Sequence, residues 1–483
     1  MKRSSFAACL ATALVVLASA PARAGGIEMP DNGTEALGRG GAFAAKADDP
    51  TALHHNVGGL AQQRGTRLLL NANVARSSLA FQREGVYPGD RNDPTTPWAG
   101  KPYPRAENQG GLAAIPFGAI TSDLGLSRAT FALGSFAPSS IGARVYPLYT
   151  GGAPSPARYD SVGGTSSVLL FHTAAAGIRI TDDLDIGFAV HVVQAALEIR
   201  TISFMSLGAA CQDAAQENPT CDARGEGKVK GWGGTGSLGA LYRVGDGVSL
   251  GFHVRGPVKL ATEGTAAITA PSSLPTTIPE TRVAVETALP WVARGGIRKK
   301  FDREVDADLE LDATYEAWGS AMNPGPKIVL DKVGPLGRQE RVVPMNYSDT
   351  FSLRTGGSFT TRSFGTPVTF RGGAYYDSSA TASRYTRLDN DTLEKFALTA
   401  GLGVEVGAFR FDVAYASVFD VPRDVKQGAL KTTEKPDAPV VNQGSFSGHT
   451  HIASLGATIQ LDVLFGNAQL PSFERRGEKV ARR

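Results

Sequence analysis

Residues 37–60 read LGRGGAFAAKADDPTALHHNVGGL. The stretch is rich in glycine and alanine, short of strand formers, and broken in its middle by Asp48-Asp49-Pro50. From about residue 67 to 465 the chain then reads as strand after strand, with no competing helical pattern. A compact small-residue segment ahead of a long all-β chain predicts a plug with a barrel wrapped round it. The expected divisions are a hatch over 25–63, a barrel over 64–465 and a basic tail over 466–483. Within the hatch, Gly38, Gly40, Gly41, Phe43, Asp48, Asp49, Asn56, Gly58 and Leu60 are the candidate gating residues.

The 483 residues carry a formal net charge of +3, and no basic cluster is interleaved with aromatics, which argues against nucleic acid as a partner. Met1-Lys2-Arg3, the apolar run 6–20 and Ala22-Arg23-Ala24 have the form of a secretory signal cleaved after residue 24. The run is too short to anchor the chain in a membrane. Cys9 would leave with the signal. Cys211 and Cys221 remain, close together in a polar stretch, and in an exported chain they read as a local disulfide. No other stretch reaches the roughly 18 to 20 apolar residues of a membrane helix, which leaves a strand-built membrane protein fully open.

Outward from the hatch, strands are expected at about 67–81, 112–121, 127–136, 168–180, 186–192, 232–244 and 248–255. Seven more follow at about 291–301, 305–318, 350–361, 368–377, 396–406, 409–419 and 452–465. Period-2 alternation marks them, as in Leu68, Leu70, Ala72 and Val74 opposite Asn71 and Asn73. A phase shift to Leu79 and Phe81 suggests a bulge near Ser77. The total is about fourteen strands, an even number, and the connections alternate short and long from the second strand onward. That is the pattern of a transmembrane antiparallel β-barrel of the bacterial outer membrane, with short periplasmic turns and long external loops. A last strand ending on Phe465 suits such a barrel, and the tail beyond it would hang in the periplasm.

In 305–318 every second residue is acidic: Asp306, Asp308, Glu310, Asp312 and Glu316. Arg294, Arg298 and Arg354 lie on the polar faces of adjacent strands, so ion pairs across the lumen wall are expected. A solvated channel lining is the alternative. No catalytic set emerges: His191 and His253 face the lumen among Gly, Ser and Arg, with no nucleophile and orienting carboxylate to match. This weighs against an outer-membrane lipase or protease, and a structural or adhesin barrel would leave the hatch without a role. Adjacent residues such as His54-His55 generally point apart, so no metal is assigned. Gly231 to Gly236 is glycine-rich but opens no helix. It reads as a place where strands bend or the plug comes close, and no cofactor is implied.

The hatch resembles that of the FadL/TodX-type outer-membrane transporters of fatty acids and hydrocarbons. The resemblance rests on Gly38-Arg39-Gly40-Gly41-Ala42, on 45–49 as A-x-x-x-D, and on Asn56-Val57-Gly58-Gly59-Leu60, where Val57-Gly58 replaces the family's Pro-Ala. It implies energy-independent passage of a hydrophobic small molecule, held in an apolar lumen pocket and released sideways into the membrane. It also implies a monomer in contact with outer-membrane lipid and lipopolysaccharide. In that family an inward kink of the third strand opens the wall. The counterpart here is Gly134, Phe136 and Pro138, where Gly and Pro should interrupt the ladder above residues 56–60 of the hatch; the alternative is that Pro138 simply ends the strand at the outer rim.

Overall fold

The computed structural model describes residues 32–466, apart from 90–95, 139–143, 160–166, 206–210, 212–216, 274–277, 302–305, 335–336, 364, 391 and 433–437. The expected signal segment, the first hatch residues and the basic tail lie outside the described residues.

Fourteen strands close on themselves. They are β1 (Thr66–Ser77), β2 (Ala113–Ser122), β3 (Ala129–Phe136), β4 (Val168–Arg179), β5 (Leu184–Phe204), β6 (Asp222–Gly245) and β7 (Val248–Arg255). The circuit continues through β8 (Val292–Phe301), β9 (Asp306–Glu316), β10 (Thr350–Ser363), β11 (Thr366–Asp377), β12 (Lys395–Val406), β13 (Phe409–Asp420) and β14 (His449–Gln460). Each pairs antiparallel with the next, and β14 pairs with β1 to complete the ring. Closure leaves no free edge over most of the wall, which a sheet surrounded by lipid requires. Side chains alternate: Leu309 and Leu311 are 59% and 51% exposed on the outside, whereas Asp308 and Glu310 are 4% and 2% exposed within.

The ends of several strands differ from expectation. β1 stops at Ser77, and the phase shift beyond it is a change of sheet, not a bulge. Ala80–Arg83 joins Ala106–Glu107, Arg423–Val425 and Gly444–Ser447 in a small sheet over the long-loop rim. Phe81 stacks on Phe446 there at 4.5 Å, which removes both rings from water. β5 and β6 run on well beyond the expected end at 192 and the expected start at 232, paired from Leu184↔Tyr242 to Phe204↔Asp222. Four strands within the next long loops, Val258–Thr269, Thr281–Leu289, Lys327–Leu330 and Gln339–Val342, add to this extension. The glycines at 231 and 233 serve this tower and not the hatch, since a Cβ on either would collide with backbone of residues 259–262. At the far end β14 stops at Gln460, and Leu461–Leu464 forms a helical turn. Asp462 accepts a hydrogen bond from the Thr66 amide at the start of β1, so the chain turns back and Phe465 lies outside the sheet.

Residues 32–63 fill the ring. Short helical turns, Thr34–Gly38, Ala52–His55 and Val57–Gln62, are joined by tight bends, and nearly every residue is buried. The segment touches all fourteen strands, from Asn71 on β1 to Ser454 on β14. Glycines in the wall make room for it. A Cβ at Gly187, Gly239, Gly251, Gly356 or Gly373 would collide with hatch atoms, mostly backbone.

Candidate functional site: the plug and its wall

One side of the plug is held by charge. β9 turns its acidic row inward, and Arg39, fully buried, reaches Asp308 Oδ1 at 2.8 Å and Glu310 Oε2 at 3.1 Å. Arg298 donates from Nε to Asp308 Oδ2 at 2.5 Å. The hatch backbone adds its own donors. The amides of Phe43 and Ala44 both lie 2.8 Å from Asp312 Oδ2, while those of Ala45 and Lys46 lie 2.6 and 3.2 Å from Glu310 Oε1. Burial opposes the charge on Arg39, but Glu310 and Asp308 outweigh it and raise its pKa above the ordinary guanidinium value. Glu35 is held in the same manner. Burial works against its ionisation, yet Arg410, Lys46 and Arg371 keep it well below the usual carboxylate range.

Of the arginines expected to face this row, Arg298 pairs with it, and Arg354 lies across from Asp312 in the register. Arg354 approaches Asp377 at 3.9 Å, and Arg294 donates to the His54 carbonyl and lies 3.1 Å from His54 Nε2. Asp306 stands at the short-turn rim, 3.8 Å from Lys300. The missed residue is Arg39. Its signal was a lone cation inside a glycine run, which has no function on a flexible tether but suits a buried acceptor row. Asp48 pairs with Lys46 at 2.5 Å, while Asp49 takes the Thr51 amide at 2.7 Å. Burial, reinforced by the charge of Glu35, pushes Asp49 up to about 6.

The opposite side is apolar and aromatic. Leu53, Val57 and Leu60 share one buried cluster with Phe117, Phe136, Phe171 and Val193 of β2 to β5. The rings of Phe117 and Phe171 flank Phe136, with centroids 5.0 and 5.7 Å from it. His54 meets Phe136 edge-on at 5.5 Å, and His55 meets Phe43 at 5.4 Å. The two histidines do not point apart: their rings are 4.9 Å from each other, because a helical turn holds both against the same core. Burial, with Arg294 beside it, lowers His55 to about 3. No group of three metal-ligating side chains occurs among the described residues. His191 bonds to Thr173 at 2.7 Å and Ser237 at 3.0 Å; its other partner is a hydroxyl, not the carboxylate that would orient a catalytic imidazole. Asn56 ties the end of the hatch to the wall, donating to Ala44 O at 2.7 Å and Ala240 O at 2.9 Å while accepting from the Gly58 amide.

The expected break in the third strand is displaced. Gly134 and Phe136 are paired on both sides, with Ala119 and Thr173 and with Phe117 and Phe171, so the ladder does not fail there. The pairing ends at Phe136. The Ala137 amide still reaches Pro116 O at 3.3 Å, and Pro138 then turns to the hatch, its carbonyl accepting from Asn32 Nδ2 at 2.8 Å. Above this point, among the described residues, Ala113 to Ile115 of β2 pair with β1 and Val168 to Leu170 of β4 pair with β5, and no strand pairing joins the two. The hatch residue nearest Gly134 is Leu53, and residues 56–60 lie further round, against Gly177, Gly187 and Ala240.

On the long-loop side, Cys211 and Cys221 form a disulfide with Cα atoms 5.6 Å apart, packed on Phe204 and Tyr159. Arg83 clamps Glu217 with both terminal nitrogens, and Arg158 pairs with Asp222 at 3.0 Å, joining three loops. Beside them a groove of about 810 Å³ runs along the tower. Ile199, Val229, Ala266, Val283, Ile328 and Leu330 form much of its floor.

Fold and site together define a plugged, strand-built outer-membrane barrel whose interior chemistry is packing and ion pairing. The profile of the outer membrane protein transport family (OMPP1/FadL/TodX) matches residues 15–465. The chain belongs to that family, a family of transport proteins and not of enzymes. No curated protein matches it in sequence. Among solved structures, a Pseudomonas aeruginosa FadL homologue superposes with a TM-score of 0.71 at 17% identity, covering 90% of this chain and 99% of that one. The Pseudomonas putida toluene transporter TodX gives 0.65 at 17%, covering 89% and 99%. The Ralstonia pickettii toluene transporter TbuX gives 0.62 at 18%, covering 89% and 98%.

Proposed function

We propose that this outer-membrane transport protein takes hydrophobic small molecules, long-chain fatty acids or hydrocarbons such as toluene, from the groove beside the disulfide. They descend along the aromatic side of the hatch and leave sideways above Phe136. The observation that carries this reading is the end of the β3 ladder at Phe136. The end of that pairing borders the Phe117–Phe136–Phe171 stack and not the charged side of the plug. An apolar solute gains nothing from a water-filled pore but gains from each apolar surface it meets on the way to lipid. The chain works as a monomer, exported by removal of residues 1–24, with its outer surface in lipid and lipopolysaccharide and the tail beyond 466 in the periplasm.

The test is transfer into proteoliposomes. Labelled oleate or toluene should reach the lipid phase faster with the protein present, and a small sugar should not enter the vesicle lumen. Equal entry of the sugar would make the protein a general pore and end this reading.

A further inference from the structure

The lipid-facing side of β13, β14 and β1 changes character at one depth. The register lines up outward residues in rows across the three strands: Phe411–Ala457–Leu70, then Val413–Leu455–Ala72, then Tyr415–Ala453–Val74. The next row is Ser417–His451–Arg76, and beyond it Phe419 lies opposite His449. Apolar rows thus give way within one step to imidazoles and a guanidinium, where hydrocarbon meets headgroup. The rings are packed together. Phe419 stacks on His449 at 4.6 Å, His449 lies 4.1 Å from His451, and Tyr415 Oη is 2.5 Å from His451 Nδ1. Ser417 Oγ lies 2.9 Å from His449 Nε2. Just above, Arg105 donates to Ser447 Oγ at 3.0 Å and pairs with Glu107 at 3.1 Å.

At β9 to β11 the same rim carries carboxylates instead. Tyr315 on β9 donates to Asp349 at 2.6 Å, and Tyr376 on β11 donates to Glu394 at 3.0 Å. Rim tyrosines there are partnered by carboxylates, which would repel a phosphate. On β13 to β1 the rim tyrosine is partnered by an imidazole, which offers an N–H when neutral and a positive charge when protonated. Arginine adds a permanent charge and a fork that fits phosphate.

We propose that this patch docks lipopolysaccharide of the outer leaflet. Arg76, His449 and His451 hold a lipid A phosphate, and its acyl chains lie along Val413, Leu455 and Ala72. The proposal rests on the reading that the long-loop rim faces the outer leaflet, and it is independent of the route taken by the transported molecule.

The probe is bisphosphorylated lipid A titrated into the detergent-purified full-length protein, beside the same lipid with its phosphates removed. The wild type should bind the phosphorylated form about tenfold more tightly, the effect of one or two charge-assisted hydrogen bonds. Arg76→Gln with His449→Gln and His451→Gln should erase that preference, and Asp349→Asn on the acidic sector should keep it. Uptake of oleate by the triple variant should match wild type, which separates this site from the transport reading. Equal binding of the two lipids by the wild type would overturn the proposal, and so would an undiminished preference in the triple variant. If the triple variant fails to fold, Arg76→Gln alone carries the test: it should lose most of the preference, and an undiminished preference in it would overturn the proposal.

Discussion

The plug meets its wall through two unlike contacts. Toward β9 it presents Arg39 and four backbone amides to Asp308, Glu310 and Asp312, so ion pairs and directional hydrogen bonds fix its position. Toward β2 to β5 it presents Leu53, Val57 and Leu60 to three phenylalanines, a contact with no direction and no required partner. The difference matters mechanically. Breaking the first strands charges in a place without water, at a cost of several kcal/mol. An apolar molecule can replace part of the second without leaving any polar group unsatisfied. One side is an anchor, and the other can yield to an oily solute while the anchor stays closed.

Arg39→Ala attacks the anchor and should have the largest effect. It leaves Asp308 and Glu310 buried with less compensation, a loss of about 3–5 kcal/mol in plug anchoring. Planar-bilayer recording should then show ion conductance that the wild type lacks, and the hatch should become protease-sensitive while the barrel keeps its folded gel mobility. A silent, protease-resistant Arg39→Ala protein would mean that the charged contact is not the anchor.

Leu53→Ala attacks the other contact. Removing this side chain from the cluster should cost about 2–4 kcal/mol as a cavity forms beside Gly134. Faster transfer of toluene is expected, with no ion conductance. An ion leak in this variant as large as that of Arg39→Ala would erase the distinction between the two sides.

The smallest effect sharpens the comparison at one atom. A Cβ on Gly134 would come within 2.6 Å of Leu53 Cδ1, the far end of a flexible side chain, and within 3.0 Å of Ala119 Cβ and Gly118 O. Gly134→Ala should therefore cost about 1–3 kcal/mol by overpacking, and combining it with Leu53→Ala should recover the part due to Leu53. Thermal unfolding of the two single variants and the double one measures the coupling. Additive losses would place Leu53 elsewhere.

The barrel was legible in the sequence because its signal is repeated. All fourteen strands are found at their expected places, and all but β5 and β6, which run about ten residues further, within a few residues, since alternating faces and short–long connections recur along the whole wall. The ends were not legible. Alternation cannot tell whether a strand stays in the ring, as β1 does to Ser77, or passes to another sheet, as Ala80–Arg83 does. The tower was hidden because its strands carry the glycines and charges that read as loop. The acidic row of β9 was visible, and so was one partner, Arg298, which register places beside Asp308. The other, Arg39, lies some 270 residues away in sequence, where register carries no signal. The break in β3 was placed slightly too early for a related reason. Gly134 looked like a weak point in a ladder, yet it is the space into which Leu53 fits, and Pro138 marks where the strand leaves the wall.

The most direct test pins the hatch and asks whether transport continues. Thr34 Oγ1 and Ser454 Oγ lie 2.7 Å apart, joining the hatch to β14. Thr34→Cys with Ser454→Cys, made with Cys211→Ser and Cys221→Ser, should allow a bridge that oxidation closes and reduction opens. If solute passes along the aromatic side with the plug in place, oleate and toluene should cross the oxidised protein as fast as the reduced one. Transport that stops on oxidation and returns on reduction would show that the hatch must leave, and would contradict the account.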